Sequence, residues 1–395
     1  MSLSLKLPTA AGGLETFTLS GRAPAQPAPG VAFNRIAYSA AHVVADPVAA
    51  ADPWLQCAVD WDATIAYRQR LWSLGLGVAE AMDTAQRGMG LDWPTSLELI
   101  RRGLDAARDV PGARVASGCG TDHLLPENAR HVDDVIRAYE EQMAAIEALG
   151  GRLIVMASRA LARVAQSPAD YERVYDRILS QARQPVILHW LGEMFDPALA
   201  GYWGTRDLDA AMDTALGIIH AHASQVDGIK ISLLDKDKEI AMRRRLPAGV
   251  RMYTGDDFNY AELIAGDGHG SDPVHGQSDA LLGIFDAIAP AASAALGELA
   301  AGRVDRFHEI LGPTVPLSRH IFAAPTRFYK TGVVFMAWLN GHQSHFTMVG
   351  GQQSARGLLH FAQLFRLADA AHLLEQPDLA VRRMRTLLAL HGVEG

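Results

Sequence analysis

Beyond residue 30 the chain alternates short apolar, β-branched runs with longer stretches in which apolar positions return every three or four residues. A period of two fits a strand and a period of 3.6 a helix with one buried face, so the alternation predicts βα units around a parallel sheet. Strands are predicted at residues 31–38, 77–82, 114–117, 153–156, 185–189, 227–231 and 250–253, with an eighth near 266–271. Helices are predicted at 63–74, 95–109, 132–149, 169–184 and 208–223, with a shorter one after Asp237. Pro94-Thr95-Ser96 and Ser167-Pro168 read as N-terminal caps, and Gly75, Gly150 and Gly151 as stops. Eight such units favour a closed (β/α)8 TIM barrel, although an open doubly wound sheet shares the local pattern. Segment 21–30, rich in Pro, Ala and Gly, reads as an extended lead-in, and after the eighth unit the chain stays helical through 280–311, 325–339 and 356–391. The expected organisation is an N-terminal extension (1–29), the barrel (30–290) and a C-terminal helical region packed on it (291–395).

Composition narrows the function classes. With 395 residues, 49% of them hydrophobic, the chain can bury a large core. The net charge of −8, from 36 bases and 44 acids with no long block of either sign, argues against nucleic acid or an anionic membrane as partner. Cys57 and Cys119 have no metal-ligand spacing, which suits a reducing, cytoplasmic setting. No apolar run approaches the roughly 20 residues of a membrane helix, and residues 1–20 lack the basic start and apolar core of a secretion signal.

In a TIM barrel the chemistry stands at the C-terminal ends of the strands and in the loops that follow. Here those positions hold Asp83 to Gly88 after the second strand, Gly118 to His123 after the third and Ser158-Arg159 after the fourth. The fifth brings His189, Trp190 and Glu193, the sixth Lys230 and Ser232, and the seventh Thr254-Gly255-Asp256-Asp257. Lys230 is the most informative. Its neighbours Gly228, Ile229 and Ile231 form an apolar setting that disfavours the charged amine, and a neutral amine can attack a carbonyl to form an imine, an electron sink for carbon–carbon cleavage or condensation. The competing reading is an ion pair with Asp227 or Asp235. His189, one strand earlier, would stand beside Lys230 and suits proton transfer at a reacting hydroxyl, with a structural, hydrogen-bonded histidine as the alternative. Gly118-x-Gly120-Thr121 lacks the full GxGxxG spacing of a dinucleotide site and reads as a loop offering backbone approach, with Thr121 and Asp122 as hydrogen-bonding groups; the alternative is an ordinary turn capped by Asp122. His220 and His222, two apart on a helix, are poorly placed to share a metal, and Arg243, Arg244 and Arg245, with Arg251 nearby, read as a solvated helix end, with a phosphate contact as the alternative.

Taken in order, Ser117-Gly118-Cys119-Gly120-Thr121, Gly228-Ile229-Lys230, Thr254-Gly255-Asp256-Asp257 and Tyr329-Lys330-Thr331-Gly332 resemble the dihydrodipicolinate synthase and N-acetylneuraminate lyase superfamily of class I Schiff-base aldolases, and within it a bacterial dihydrodipicolinate synthase-like group of unassigned function. The resemblance runs from Val31 to about Asn340. It implies a (β/α)8 barrel, an imine on Lys230, a C-terminal helical region beside the barrel, no cofactor and a homo-oligomer. Two departures stand out. The fifth-strand tyrosine of the superfamily is replaced by His189-Trp190, and its Gly-Thr-Thr-Gly-Glu carboxylate cradle by Asp83-Thr84-Ala85-Gln86-Arg87-Gly88. Pyruvate is therefore a poor expectation unless Arg87 compensates, and an oxo substrate of carbohydrate type is expected instead, held by Asp83, Arg87, Gly120, Thr121, Asp122, Glu193, Gly255 and Asp256. The segment from Glu193 to Tyr202, with Trp190, Phe195 and Trp203, is expected to close over such a ligand. Two other readings remain open: a divalent-metal isomerase or hydrolase using His189, Glu193 and nearby acids, and a ligand-binding barrel without chemistry.

Overall fold

The computed structural model of the protein describes residues 3–27, 32–267 and 276–394. Two antiparallel strands, β1 (Ser4–Thr9) and β2 (Gly13–Thr18), form a hairpin ahead of the barrel. The barrel strands are β3 (Ala37–Ala40), β4 (Gly77–Glu80), β5 (Val115–Cys119), β6 (Arg152–Met156), β7 (Val186–Leu191), β8 (Val226–Ser232), β9 (Arg251–Thr254) and β10 (Asp279–Leu282). They run parallel in chain order, and β10 pairs with β3 to close the ring.

Because side chains alternate along a strand, each barrel strand feeds two cores. Tyr38, Ala79, Ala116, Ile154, Ile187, Tyr253 and Leu281 fill the inside of the barrel, whereas Val78, Val155, Leu188, Ile229 and Met252 pack outward against the helices. The helices carry their own start signals. Ser167 and Asp170 form a reciprocal capping box at Pro168–Leu179. The helix Trp93–Arg108 begins earlier than predicted: Asp92 is its cap, accepting from the Thr95 N–H at 2.9 Å, and Pro94 sits within the first turn, where its missing N–H costs nothing. Among the described residues no helix is long and apolar enough to cross a membrane.

The eighth strand is not where the sequence pattern predicts it. Gly266 and Asp267 follow the helix Tyr260–Ala265, residues 268–271 lie outside the described residues, and the strand is Asp279–Leu282, inside the stretch read as helical. Its Asp-Ala-Leu-Leu has no β-branched residue and runs through Gly283 into the apolar helices Ile284–Ala287 and Ala289–Ala300, so no change of period marks the boundary.

The N-terminal segment is also more than a lead-in. Leu5 and Leu7 are buried, Phe17 meets Phe365 edge-on at 6.3 Å, and Ser20 donates to Asp369 at 3.0 Å. The hairpin thus packs on the C-terminal helices Leu358–Ala370 and Pro377–Leu390, where Arg385 donates to the Ser4 carbonyl at 2.6 Å.

Candidate active site at the mouth of the barrel

Lys230 lies on β8 level with His189 on β7. It is 7% exposed, and no hydrogen-bond acceptor for its Nζ is found among the described residues. Both predicted ion-pair partners are engaged elsewhere: Asp227 bonds Arg152 at 2.8 Å and the Tyr253 hydroxyl at 2.6 Å, and Asp235 caps the helix Lys236–Arg243. Burial pulls the amine pKa below its ordinary value, opposed only in part by the carboxylates of Asp257 and Asp83. Burial, reinforced by the charge on Lys230, also drives His189 far below the usual histidine range, so its imidazole is neutral at physiological pH. Its Nε2 lies 3.4 Å from Ser232 Oγ, and its buried Nδ1 has no hydrogen-bond partner among the described residues.

Gly255 does not stand at the ligand cleft. A Cβ there would lie 2.4 Å from Ser232 Oγ and 2.7 Å from Lys230 Cε, so the missing side chain is what lets β9's continuation pass the lysine stem. Asp256 is likewise structural, its carboxylate accepting from the N–H groups of Phe258 and Asn259 at 2.8 and 3.0 Å and from the Asn259 amide. Its neighbour Asp257 faces Lys230. Burial pushes that carboxyl up to about 7, against the pull of the lysine, and its Oδ1 accepts from Ile284 N at 2.9 Å. Strand parity could not have identified it, because β9 ends at Thr254 and Asp257 lies in the turn that follows.

A cleft of about 450 Å³ opens beside His189, lined by Asp83, Arg87, Gly120, Thr121, Asp122 and His189 among the predicted residues, and by Trp93, His123, Arg159 and Asp196 among others; Lys230, level with His189 on β8, is not itself part of that lining. Glu193 is exposed outside it. Asp83 comes off a turn with left-handed backbone at Ala81 (φ 53°) and Gln86 (φ 65°), uncommon for residues with a side chain and a mark of functional turns. Arg87 lines the cleft but is 3% exposed and fully engaged. It pairs with Asp122 at 2.8 Å and donates to the Gly118 and Ala81 carbonyls and to Gln142. Burial raises Asp122, but the charge and hydrogen bonds of Arg87, together with the hydrogen bonds of Gln142 and the backbone, outweigh it and hold the carboxyl below its ordinary value. Thr121 shares a 2.6 Å hydrogen bond with Ser158.

The predicted aromatic lid is core instead. Trp203 is fully buried with Tyr171, Tyr175 and Trp190, and Phe195 packs on Phe322 and Tyr329, because rings of this size find more contact between the helices than over an open cleft. Arg243, read as solvated, is 1% exposed and donates to Ser278 and Asp267. His220 and His222 have separate partners, the Arg245 carbonyl and Asp176. Among the described residues no three His, Cys, Asp or Glu side chains converge as a metal site would require.

The helix Tyr329–Leu339 adds two groups that strand-end reasoning missed, because it follows the barrel in sequence. The Tyr329 hydroxyl is 2.7 Å from Thr84 Oγ1, and the buried Lys330 amine donates to the Arg327 carbonyl at 3.0 Å. Burial lowers Lys330 to about 8, while Asp83 and Asp196 pull the other way.

Three solved structures illustrate what the barrel is similar to. YagE, a prophage protein of the dihydrodipicolinic acid synthase family from E. coli K12 solved in complex with pyruvate, is 14% identical over 87% of this chain and 100% of its own, with a TM-score of 0.64. Dihydrodipicolinate synthases from Aquifex aeolicus (12% identity, 87% and 99% coverage) and Thermotoga maritima (13%, 87% and 100%) both give 0.62. The likeness is one of fold, the (β/α)8 barrel of the dihydrodipicolinate synthases with its C-terminal helices. No curated protein matches the sequence. A family model matches residues 5–393, nearly the whole chain, and the protein therefore belongs to the family described as protein of unknown function DUF993.

Proposed function

We propose that the protein is a class I lyase in which Lys230 forms an imine with an oxo substrate and His189 moves the proton during carbon–carbon cleavage. The observation that carries this reading is a buried lysine amine with a depressed pKa, without a hydrogen-bond acceptor among the described residues, level with a neutral imidazole.

The uncharged amine attacks the substrate carbonyl carbon, and the oxygen takes up protons and leaves as water, giving the protonated imine. His189 then accepts the proton of the hydroxyl two carbons from the imine carbon. The bond between the intervening carbon and the hydroxyl-bearing carbon breaks, its electron pair forming an enamine, and the hydroxyl carbon departs as a carbonyl compound. The imidazolium returns its proton to the enamine carbon, and water hydrolyses the imine to release the second product and free Lys230. Asp83, Thr121 and Asp122 offer hydroxyl-compatible acceptors and donors in the cleft, while the guanidinium of Arg87 is already engaged. This supports a polyhydroxylated, carbohydrate-derived oxo substrate over pyruvate.

Borohydride trapping with a panel of keto sugars and oxo acids, read by intact mass and peptide mapping, tests the proposal. The expected result is one reduced adduct on Lys230 that disappears in Lys230→Met. Turnover of any panel member without such an adduct sinks the imine mechanism.

A further inference from the structure

At one end of the cleft stands an arginine whose donors are only partly used. Arg159 opens the helix Arg159–Val164 after β6, where Ser158 fixes the turn by accepting from Leu161 N at 3.0 Å. Its Nε donates to Asp196, its side chain is 37% exposed, and both residues line the cleft. Neither terminal nitrogen of the guanidinium has an acceptor among the described residues. Gly88 (φ 68°) makes room for them, since a Cβ there would lie 3.0 Å from Nη1. Arg87 shows the contrast, with every donor group committed to the protein.

The surrounding charge is unbalanced. Lys330 feels Asp83, Arg159, Asp196 and Arg327, so three cations here face two carboxylates, and one of these, Asp83, also faces Lys230. Arg159 is not among the charges that act on Lys230. Asp83 thus acts on both the reacting amine and Lys330, and it lines the cleft together with Arg159. A planar fork with two free donor groups at the edge of a cleft is the arrangement that recognises an oxyanion.

We infer that Arg159 binds an oxyanion, a carboxylate or a phosphate, carried on the substrate at the end remote from the reacting carbonyl. This deepens the proposed function and rests on it. A carboxylate adjoining the oxo carbon would lie at the Lys230 end instead, so the subsite selects for a charged far terminus, and Asp83, which acts on Lys230, disfavours a second anion beside the amine.

The test uses three matched keto compounds of one chain length ending in a hydroxyl, a carboxylate or a phosphate monoester, trapped with borohydride on the full chain. The anionic members should be trapped at about tenfold lower concentration than the neutral one or better, the carboxylate and phosphate arms telling the two sources apart. In Arg159→Gln the ratio should fall toward one, and Arg159→Lys should keep part of it. Equal trapping of all three by the native protein, or an undiminished ratio in Arg159→Gln, overturns the inference. If no compound forms an adduct on Lys230 the imine reading fails, and calorimetric titration with inorganic phosphate and with malonate decides the subsite separately. Binding that Arg159→Gln weakens about tenfold supports it, and no binding, or binding that the variant leaves intact, refutes it.

Discussion

Within the site, single positions decide what each side chain can do. Asp257 and Asp256 are adjacent acids, yet one faces the lysine and the other ties a turn, because beyond the end of β9 the chain bends and the Asp256 carboxylate is taken up by the N–H groups of that bend. The sequence motif brings both to notice; only the turn geometry separates them. The negative charge of Asp257 raises the Lys230 pKa, so Asp257→Asn should lower it further. Since the neutral amine is the reactive form, the rising limb of the trapping rate against pH should move to lower pH by about one unit. An unchanged limb would place the titration elsewhere. His189→Asn should reduce turnover by about 10²–10⁴-fold while leaving the borohydride adduct on Lys230, which separates proton transfer from imine formation by comparing rate with adduct yield. Lys230 and His189 stand out in sequence because each is a polar group on an apolar strand, Lys230 between Ile229 and Ile231 and His189 after Val186 to Leu188. Tyr329 and Lys330 appear there only as part of a helical motif, because they come near Asp83 and Thr84 on a helix more than 90 residues further along the chain.

Element by element, the polar groups that fasten helices to the barrel explain much of what the pattern of apolar positions leaves out. Arg68, on the helix Trp61–Ser73, reaches Glu80 at the end of β4 with both side chains fully buried and 2.8 Å apart. Arg68→Met leaves that carboxylate uncompensated and should cost roughly 3–5 kcal/mol in denaturant unfolding. Glu239, on the helix Lys236–Arg243, accepts from Thr254 at 2.9 Å and Ser278 at 2.8 Å, and burial raises it to about 8. A folded-state pKa above the unfolded value near 4.5 means that the native state holds a proton the unfolded chain has lost. Stability from this group is therefore full below about pH 4.5 and declines as pH rises toward 8. Glu239→Gln, which mimics the protonated acid, should flatten the fall in melting temperature between pH 5 and 8. These pairs were opaque in the sequence, because a charged residue on an amphipathic helix reads as solvated until its partner strand is known.

For the molecule as a whole, the βα rhythm revealed seven of the eight strands and the closed class of the sheet, since each unit announces itself by a change of period. β10 escaped because it has no β-branched residue and its apolar Ala280-Leu281-Leu282 runs through Gly283 into equally apolar helices without a change of period. The hairpin escaped for a different reason, as its partners lie at the far end of the chain. Removing residues 1–20 should strip Leu5, Leu7 and Leu19 from the core and lower stability by roughly 5 kcal/mol, at about 1.5–3 kcal/mol for each leucine, measured by denaturant unfolding. A loss below about 1 kcal/mol would mean that the C-terminal helices hold together alone. Ser20 and Asp369 are 349 positions apart, which ties the hairpin's fate to the direction of protein synthesis. β1 and β2 are synthesised hundreds of residues before the helix Leu358–Ala370 on which they dock, so a nascent chain carries Leu5 and Leu7 without their packing partners until that helix has emerged.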